Sequence, residues 1–311
     1  MSTCATASRD LDEPLAGTAA TARTWLLIEQ PGPWGAKALT SSHLDPEVGR
    51  ALEKAAEGTG VRVALIRRPG RHADCHRPAL HRVYAAHTAP GDAWLRAQVT
   101  DDPARLLDLD FAALGAGDHG GFGAPHTGEP LALVCTNGKR DRCCALLGRP
   151  LAGELAASGE EGVWEVTHLG GHRFSPTLLV LPYGYAYGRS ETHAVKEILE
   201  AVRAGRVVTE GCRGSSAWDR PGQAAELAVR RSVGEDAAGA LTVVRTEGAA
   251  PRWEVSVAHV DGRRWRVTVD QGASHPPRPE SCGGSPVAPA RMDVVAVREA
   301  VREIPATVTS E

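Results

Sequence analysis

No segment of this chain approaches the roughly 20 consecutive apolar residues that span a bilayer. Runs such as 178–181 are broken at once by proline or glycine, so no transmembrane helix and no membrane partner are expected. An excess of positive charge is also missing. With 35 Lys and Arg against 38 Asp and Glu the net charge is −3, which leaves no footprint for a nucleic-acid or anionic-surface binder. Lysine is confined to Lys37, Lys54, Lys139 and Lys196. Residues 1–22, rich in Ala, Thr and Ser, lack the apolar core of a secretory signal and read as a disordered tail; a cytoplasmic location is therefore expected. The glycines of Gly115-Ala-Gly-Asp-His-Gly have neither a strand before them nor a helix after them, so there is no dinucleotide fingerprint. Nothing singles out the pair of facing carboxylates that a glycosidase requires.

What is present suits a globular α/β protein. The chain of 311 residues is long enough for two domains. Apolar and β-branched runs predict strands at 24–29 and 61–66 around a helix at 45–56, then strands at 81–87 and 94–99 and a short helix from Asp102 and Pro103. This makes an N-terminal α/β domain over 23–127, ending in the Gly/Pro-rich stretch 115–130. The order then repeats. Strands at 131–134 and 163–167 flank a helix at about 144–157, followed by strands at 177–181 and 185–187 and a helix from 190 to about 203. Ser190 is its expected N-cap and Gly205 its stop. The order of elements over 128–235 is that of a thioredoxin-like domain. A helix near 221–233 follows. Residues 236–311 read as a C-terminal extension with strands at 241–245, 253–260 and 265–269, a Pro/Gly-rich stretch at 272–290, and a final amphipathic helix around 291–303.

Seven cysteines are an odd number, and in a reducing compartment they are ligands, buried thiols or redox centres before they are disulfides. The strongest signal is Cys135-Thr-Asn-Gly-Lys-Arg-Asp-Arg-Cys143-Cys144, followed after one helix and one strand by His168-Leu-Gly-Gly-His172. In a β-α-β unit the loops leaving two parallel neighbours emerge at the same sheet edge, so two ligands from each can share one centre. Gly170 and Gly171 allow the backbone to curl beneath the imidazoles. Two sulfurs and two nitrogens suit zinc as well as an iron–sulfur centre, but Cys135 and Cys144 are nine residues apart, enough to wrap an object larger than one ion. Other features are weaker. His72-Ala-Asp-Cys75-His76 has no second ligand group in a recognisable position. Cys143-Cys144 lacks the Cys-x-x-Cys spacing of thiol oxidoreductases. Arg213–Trp218 reads as an anion site or, more simply, as a cap with a packed tryptophan, and 29–35 as a lid or a turn.

The Cys-x5-Asp-x2-Cys stretch, the His-Leu-Gly-Gly-His-Arg-Phe run and the later Arg213-Gly-Ser-Ser-Ala-Trp218 and Gln223-Ala-Ala-Glu226 segments together resemble the sucrase/ferredoxin-like family. The segment 179–189 is similar to thioredoxin-like [2Fe-2S] ferredoxins. The resemblance implies a [2Fe-2S] cluster with Cys135 and Cys144 on one iron and His168 and His172 on the other. Cys143 remains an alternative to Cys144, and zinc an alternative cofactor. Replacing two thiolates by neutral imidazoles implies a relatively high, pH-dependent potential. Arg140, Arg142 and Arg173 flank these residues, as charges near the cluster or as solvated loop charges. The expected function is electron transfer with an unidentified redox protein as donor or acceptor, rather than stand-alone catalysis.

Overall fold

The computed structural model of the chain describes residues 3–70 and 80–300. The first half comprises α1 (Cys4–Asp10), β1 (Thr24–Glu29), α2 (Pro46–Ala56), β2 (Val61–Arg67), β3 (His81–His87), β4 (Trp94–Thr100), a 3-10 turn (Pro103–Asp108), α3 (Phe111–Ala116) and the short β5 (Ala124–Pro125). The second comprises β6 (Leu131–Cys135), α4 (Arg149–Ala157), β7 (Val163–Val166), β8 (Leu178–Leu181), β9 (Tyr185–Tyr187), α5 (Thr192–Arg203), β10 (Cys212–Ser215) and α6 (Arg220–Val233). Four further strands close the chain: β11 (Leu241–Ala249), β12 (Arg252–His259), β13 (Arg264–Ala273) and β14 (Ala290–Glu299).

Local chemistry explains the boundaries. Asp45 caps α2 by accepting from the Glu47 N–H, and Pro46 occupies the first turn, where its missing donor costs nothing. Asp219 does the same for α6, and Gly234 ends that helix in the left-handed conformation. The β6 sequence LALVC is buried at every position, as a strand covered on both faces must be.

Both halves contribute to one ten-stranded sheet, ordered β10-β9-β8-β6-β7-β2-β1-β3-β4-β5. In each half a parallel pair is extended by an antiparallel strand: β2 with β1 and then β3, β7 with β6 and then β8. The halves meet where β2 and β7 pair antiparallel, Ile66 opposite Val166 and Arg67 opposite Glu165. One apolar face is continuous across that junction, from Trp25, Leu27, Ile66 and Tyr84 to Leu133 and Trp164. The opposite face is covered separately in each half, by α2 and α3 over Leu26 and Leu65 and by α4 and α5 over Val134 and Val180. Strands β11 to β14 form a separate antiparallel sheet in chain order, packed on α6 through Leu241, Val255, Val267 and Met292.

Several expectations need correction. Described residues of the segment expected as a disordered tail are structured: α1 is followed by an extended stretch whose Ala19 and Ala22 are buried in the shared core. The predicted C-terminal helix is the strand β14, paired along its length with β13, so the C-terminal extension is a four-stranded sheet in place of a hairpin and helix. The N-cap of α5 is Glu191, and the buried Ser190 hydroxyl has no hydrogen-bond partner. The His72–His76 motif lies outside the described residues. Among the described residues no helix is long and apolar enough to cross a membrane.

Candidate metal centre

The loops leaving β6 and β7 emerge side by side because the strands are parallel neighbours, with Cys135 opposite Val166. Cys135 ends β6 fully buried. The loop after it is folded on its own side chains: Asn137 Oδ1 accepts from the Lys139 N–H at 3.1 Å, and Asp141 Oδ1 accepts from the Cys143 N–H at 2.8 Å. A π-helical turn, Cys144–Gly148, then leads into α4; such wide turns recur at functional sites. On the other loop Gly170 and Gly171 both take left-handed φ values, 76° and 71°. They turn the chain back so that His172 opens a 3-10 turn beside His168.

All four predicted site residues come together. Cys144 faces Cys135, whose thiol also meets His168. The Cys144 Sγ lies 3.2 Å from His172 Nδ1. The two imidazoles stack at 4.7 Å between ring centroids. Cys143 points elsewhere, toward Cys4 and Cys282, so it is Cys144 that faces the histidines. The hydrogen bond from Cys144 holds the Cys135 thiol well below its ordinary range against the effect of burial, with His168 adding to it. That contact, together with burial, pushes Cys144 up. Burial, and then the neighbouring His168, push His172 down. His168 Nδ1 is buried with no hydrogen-bond partner, an arrangement that costs about 1–3 kcal/mol unless something binds there.

The donor set is suited to a metal group. Among the described residues, two sets of potential ligand atoms lie within 4.8 Å of one another: Asp141, Cys144 and His172, and Cys4, Asp141, Cys143 and Cys282. Cys135, Cys144, His168 and His172 are not one such set, so their ligand atoms are spread more widely than those of a single tetrahedral ion, which sit roughly 3–4 Å apart.

Sequence reasoning names Arg213, Arg173 and Gln223 but does not find that they hold this site in place. Arg213 is almost fully buried, and its guanidinium donates to the Gly170 carbonyl at 3.1 Å, to Thr18 Oγ1 at 3.1 Å and to the Thr18 carbonyl. It thus ties the histidine loop to the N-terminal segment. Burial pushes this guanidinium down to about 9. A Cβ on Gly171 would collide with it. Of the arginines expected to flank the ligands, Arg140 and Arg142 are exposed, whereas Arg173 is buried and paired with Glu13 at 2.7 Å and Glu280 at 2.8 Å. Glu13 also accepts from Arg278 Nε at 2.9 Å. Gln223, in the segment after Trp218, clamps the Ala19 N–H and carbonyl, so the later motif anchors the N-terminal segment. The first half is tied to both loops: Asn137 Nδ2 donates to the Gly35 carbonyl at 3.0 Å, and Arg62 donates to the His168 carbonyl at 3.2 Å. A cavity of about 1000 Å³, lined by Lys37, Arg50, Lys54, Glu57 and Arg140, reaches His168 between the halves.

A model of the sucrase/ferredoxin-like family matches residues 15–214. Comparison with curated proteins and with solved structures returns no match.

Proposed function

The chain belongs to the sucrase/ferredoxin-like family, and we propose that it is a one-electron carrier in which Cys135, Cys144, His168 and His172 hold a [2Fe-2S] cluster at the edge of a thioredoxin-like half. The observation that supports this most directly is the donor set itself: two thiols and two imidazoles, converging from two adjacent loops, spread beyond one ion's shell, with His168 Nδ1 buried and unpartnered. When bound, the cluster supplies a one-electron site whose potential two neutral ligands raise relative to an all-thiolate centre.

The chain's own residues do the rest. Cys135, low in proton affinity, is ready as a thiolate. His172 would ligate through Nδ1, the atom that faces Cys144 at 3.2 Å, while His168 brings a buried Nδ1 with no hydrogen-bond partner. Arg213 fixes the backbone between the two histidines. Water is kept from the buried thiols by α1, which packs on the turn that begins at His172, while His168 borders the cavity. That opening is where an unidentified redox protein exchanges electrons, and its lysines and arginines suit an acidic partner surface.

A second reading is favoured by the compact set of Asp141, Cys144 and His172, which matches the reach of a single zinc ion in a structural module. Visible absorption, low-temperature EPR, and iron and sulfide assays on anaerobically purified protein separate the two. A chromophore with about two irons per chain and a Rieske-like reduced signal, altered in His168→Cys, is expected. Colourless, iron-free protein with zinc at these residues overturns the carrier.

A further inference from the structure

A second group of thiols lies beside the first but shares no cysteine with it. Cys4 comes from α1, Cys143 from the loop after β6, and Cys282 from the connection between β13 and β14. Their Sγ atoms form a nearly equilateral triangle: 3.4 Å for Cys4 to Cys143, 3.6 Å for Cys4 to Cys282 and 3.1 Å for Cys143 to Cys282. Asp141 Oδ1 is 4.0 Å from the Cys4 Sγ, and all four ligand atoms lie within 4.8 Å of one another. Cys4 and Cys143 are buried and Cys282 is half-buried.

We propose that Cys4, Cys143 and Cys282, with Asp141 as fourth ligand, form a structural zinc site distinct from the cluster site. Three observations carry it. The triangle is slightly smaller than one face of a zinc tetrahedron, whose sulfurs sit roughly 3.8 Å apart for zinc–sulfur bonds of about 2.3 Å, so a modest outward shift of the thiols admits the ion. A disulfide, with sulfurs about 2.0 Å apart, would join only two of the three thiols and strand the third. The surroundings are also built for sulfur anions and a coordinating carboxylate. The Ala5 N–H points at the Cys143 sulfur and the Cys4 N–H at the Cys282 sulfur. The N–H groups of Cys143 and Cys282 each hold an Asp141 oxygen at 2.8 Å, and a carboxylate so held keeps lone pairs free for a metal.

Cys4 and Cys282 both lie outside the family match at 15–214, so the site belongs to the flanking segments of this chain. Its effect follows from connectivity. One ion joins segments that are 139 and 278 residues apart in sequence. It pins α1 and the β13–β14 connection over the loop that presents Cys144, and Asp141 is the residue common to both sets. Binding replaces thiol protons by the metal, so up to three protons leave as zinc enters.

The test is metal analysis of the full chain purified anaerobically without added chelator, alongside Cys282→Ser, Cys4→Ser and His168→Ala. The expected result is one zinc per chain in the wild type. Zinc should be lost in both cysteine variants while their iron and visible absorption persist, and retained in His168→Ala. Zinc that survives Cys282→Ser but leaves in His168→Ala overturns the proposal, because it then occupies the histidine site. So does zinc-free wild-type protein in which Cys4, Cys143 and Cys282 are alkylated under native conditions and mapped by mass spectrometry, or loss of iron in place of zinc in both cysteine variants. Iron and colour are read independently throughout, so failure of the zinc site is distinguishable from failure of the electron-carrier reading.

Discussion

The two halves of the large sheet repeat one plan and put it to different uses. In each, a parallel strand pair around a helix is extended by two antiparallel strands. Cys135 ends β6 and the loop leaving it leads to Cys144, while the loop leaving β7 carries both histidines. At the corresponding position after β1, the chain instead has Trp34, whose indole donates to the Gln30 carbonyl at 3.0 Å and lies under Arg67 at 4.0 Å. One sheet edge therefore gathers cysteines and histidines and the other a packed tryptophan. The scaffold delivers loops to an edge; the side chains on those loops decide what happens there.

The largest expected effect separates the halves by metal content. His168→Ala should reduce iron from about two per chain to near zero, whereas Trp34→Phe should leave iron unchanged, as read by iron assay and visible absorption. Iron loss in Trp34→Phe alone would break the division of labour.

A second difference is that the ligand-bearing half is fastened from outside. Glu13 is buried between Arg173 and Arg278, and Glu13→Ala should cost about 3–5 kcal/mol in urea unfolding, because it leaves buried cations uncompensated. Burial alone would raise the Glu13 carboxyl, but hydrogen bonds from Arg278 and Arg173 hold it below its usual value of 4.5. A depressed folded value means stability that is fully present above the unfolded value and lost as pH falls through the folded one. The gap in unfolding midpoint between wild type and Glu13→Gln should therefore narrow in acid.

Arginine clamps offer a finer contrast. Arg213 holds the Gly170 carbonyl in the ligand half, and Arg96 holds the Phe122 and Gly123 carbonyls in the other. Arg213→Gln should weaken cluster retention roughly 10-fold or more, as loss of outer support does at metal sites, measured as the rate of bleaching under a chelator. Arg96→Gln should not change that rate. The smallest effect concerns the left-handed glycines. Gly58→Ala, with open space around its Cβ position, should cost only about 1–2 kcal/mol. Gly171→Ala, whose Cβ would meet Arg213, should cost more and lower iron content as well. Equal costs would show that the clamp does not constrain the histidine loop.

Much is legible because local pattern and tertiary environment agree. Most strands of the large sheet are short apolar runs between turn residues, whereas β10, Cys-Arg-Gly-Ser, and the two-residue β5 carry no such pattern and are strands only because they pair with β9 and β4. The misreading of β14 has a specific cause. The bulge between its pairings with Thr268 and Val269 leaves Val295 exposed, so its core contacts fall at Met292, Val294 and Val297. An extra residue in a strand breaks the period of two and imitates a helical spacing. The N-terminal segment reads as disordered because most of its apolar residues are alanines, which carry little signal, with only Leu11 and Leu15 besides Met1 and Cys4, and because its main anchors, Glu13 and Gln223, are polar groups whose partners lie far along the chain.

By itself the sequence determined the α/β class, the apolar strands of the sheet from β1 to β4 and from β6 to β9, and the two loops that carry cysteine and histidine, since all of these are written in residues close together along the chain. Only the tertiary structure decided that the two halves share one sheet, that Cys144 and not Cys143 faces the histidines, and that Cys4, Cys143 and Cys282 meet. The physical reason is the same in each case. These outcomes depend on which distant segments pack together, and a thiol or carboxylate carries no local mark of a partner more than a hundred residues away.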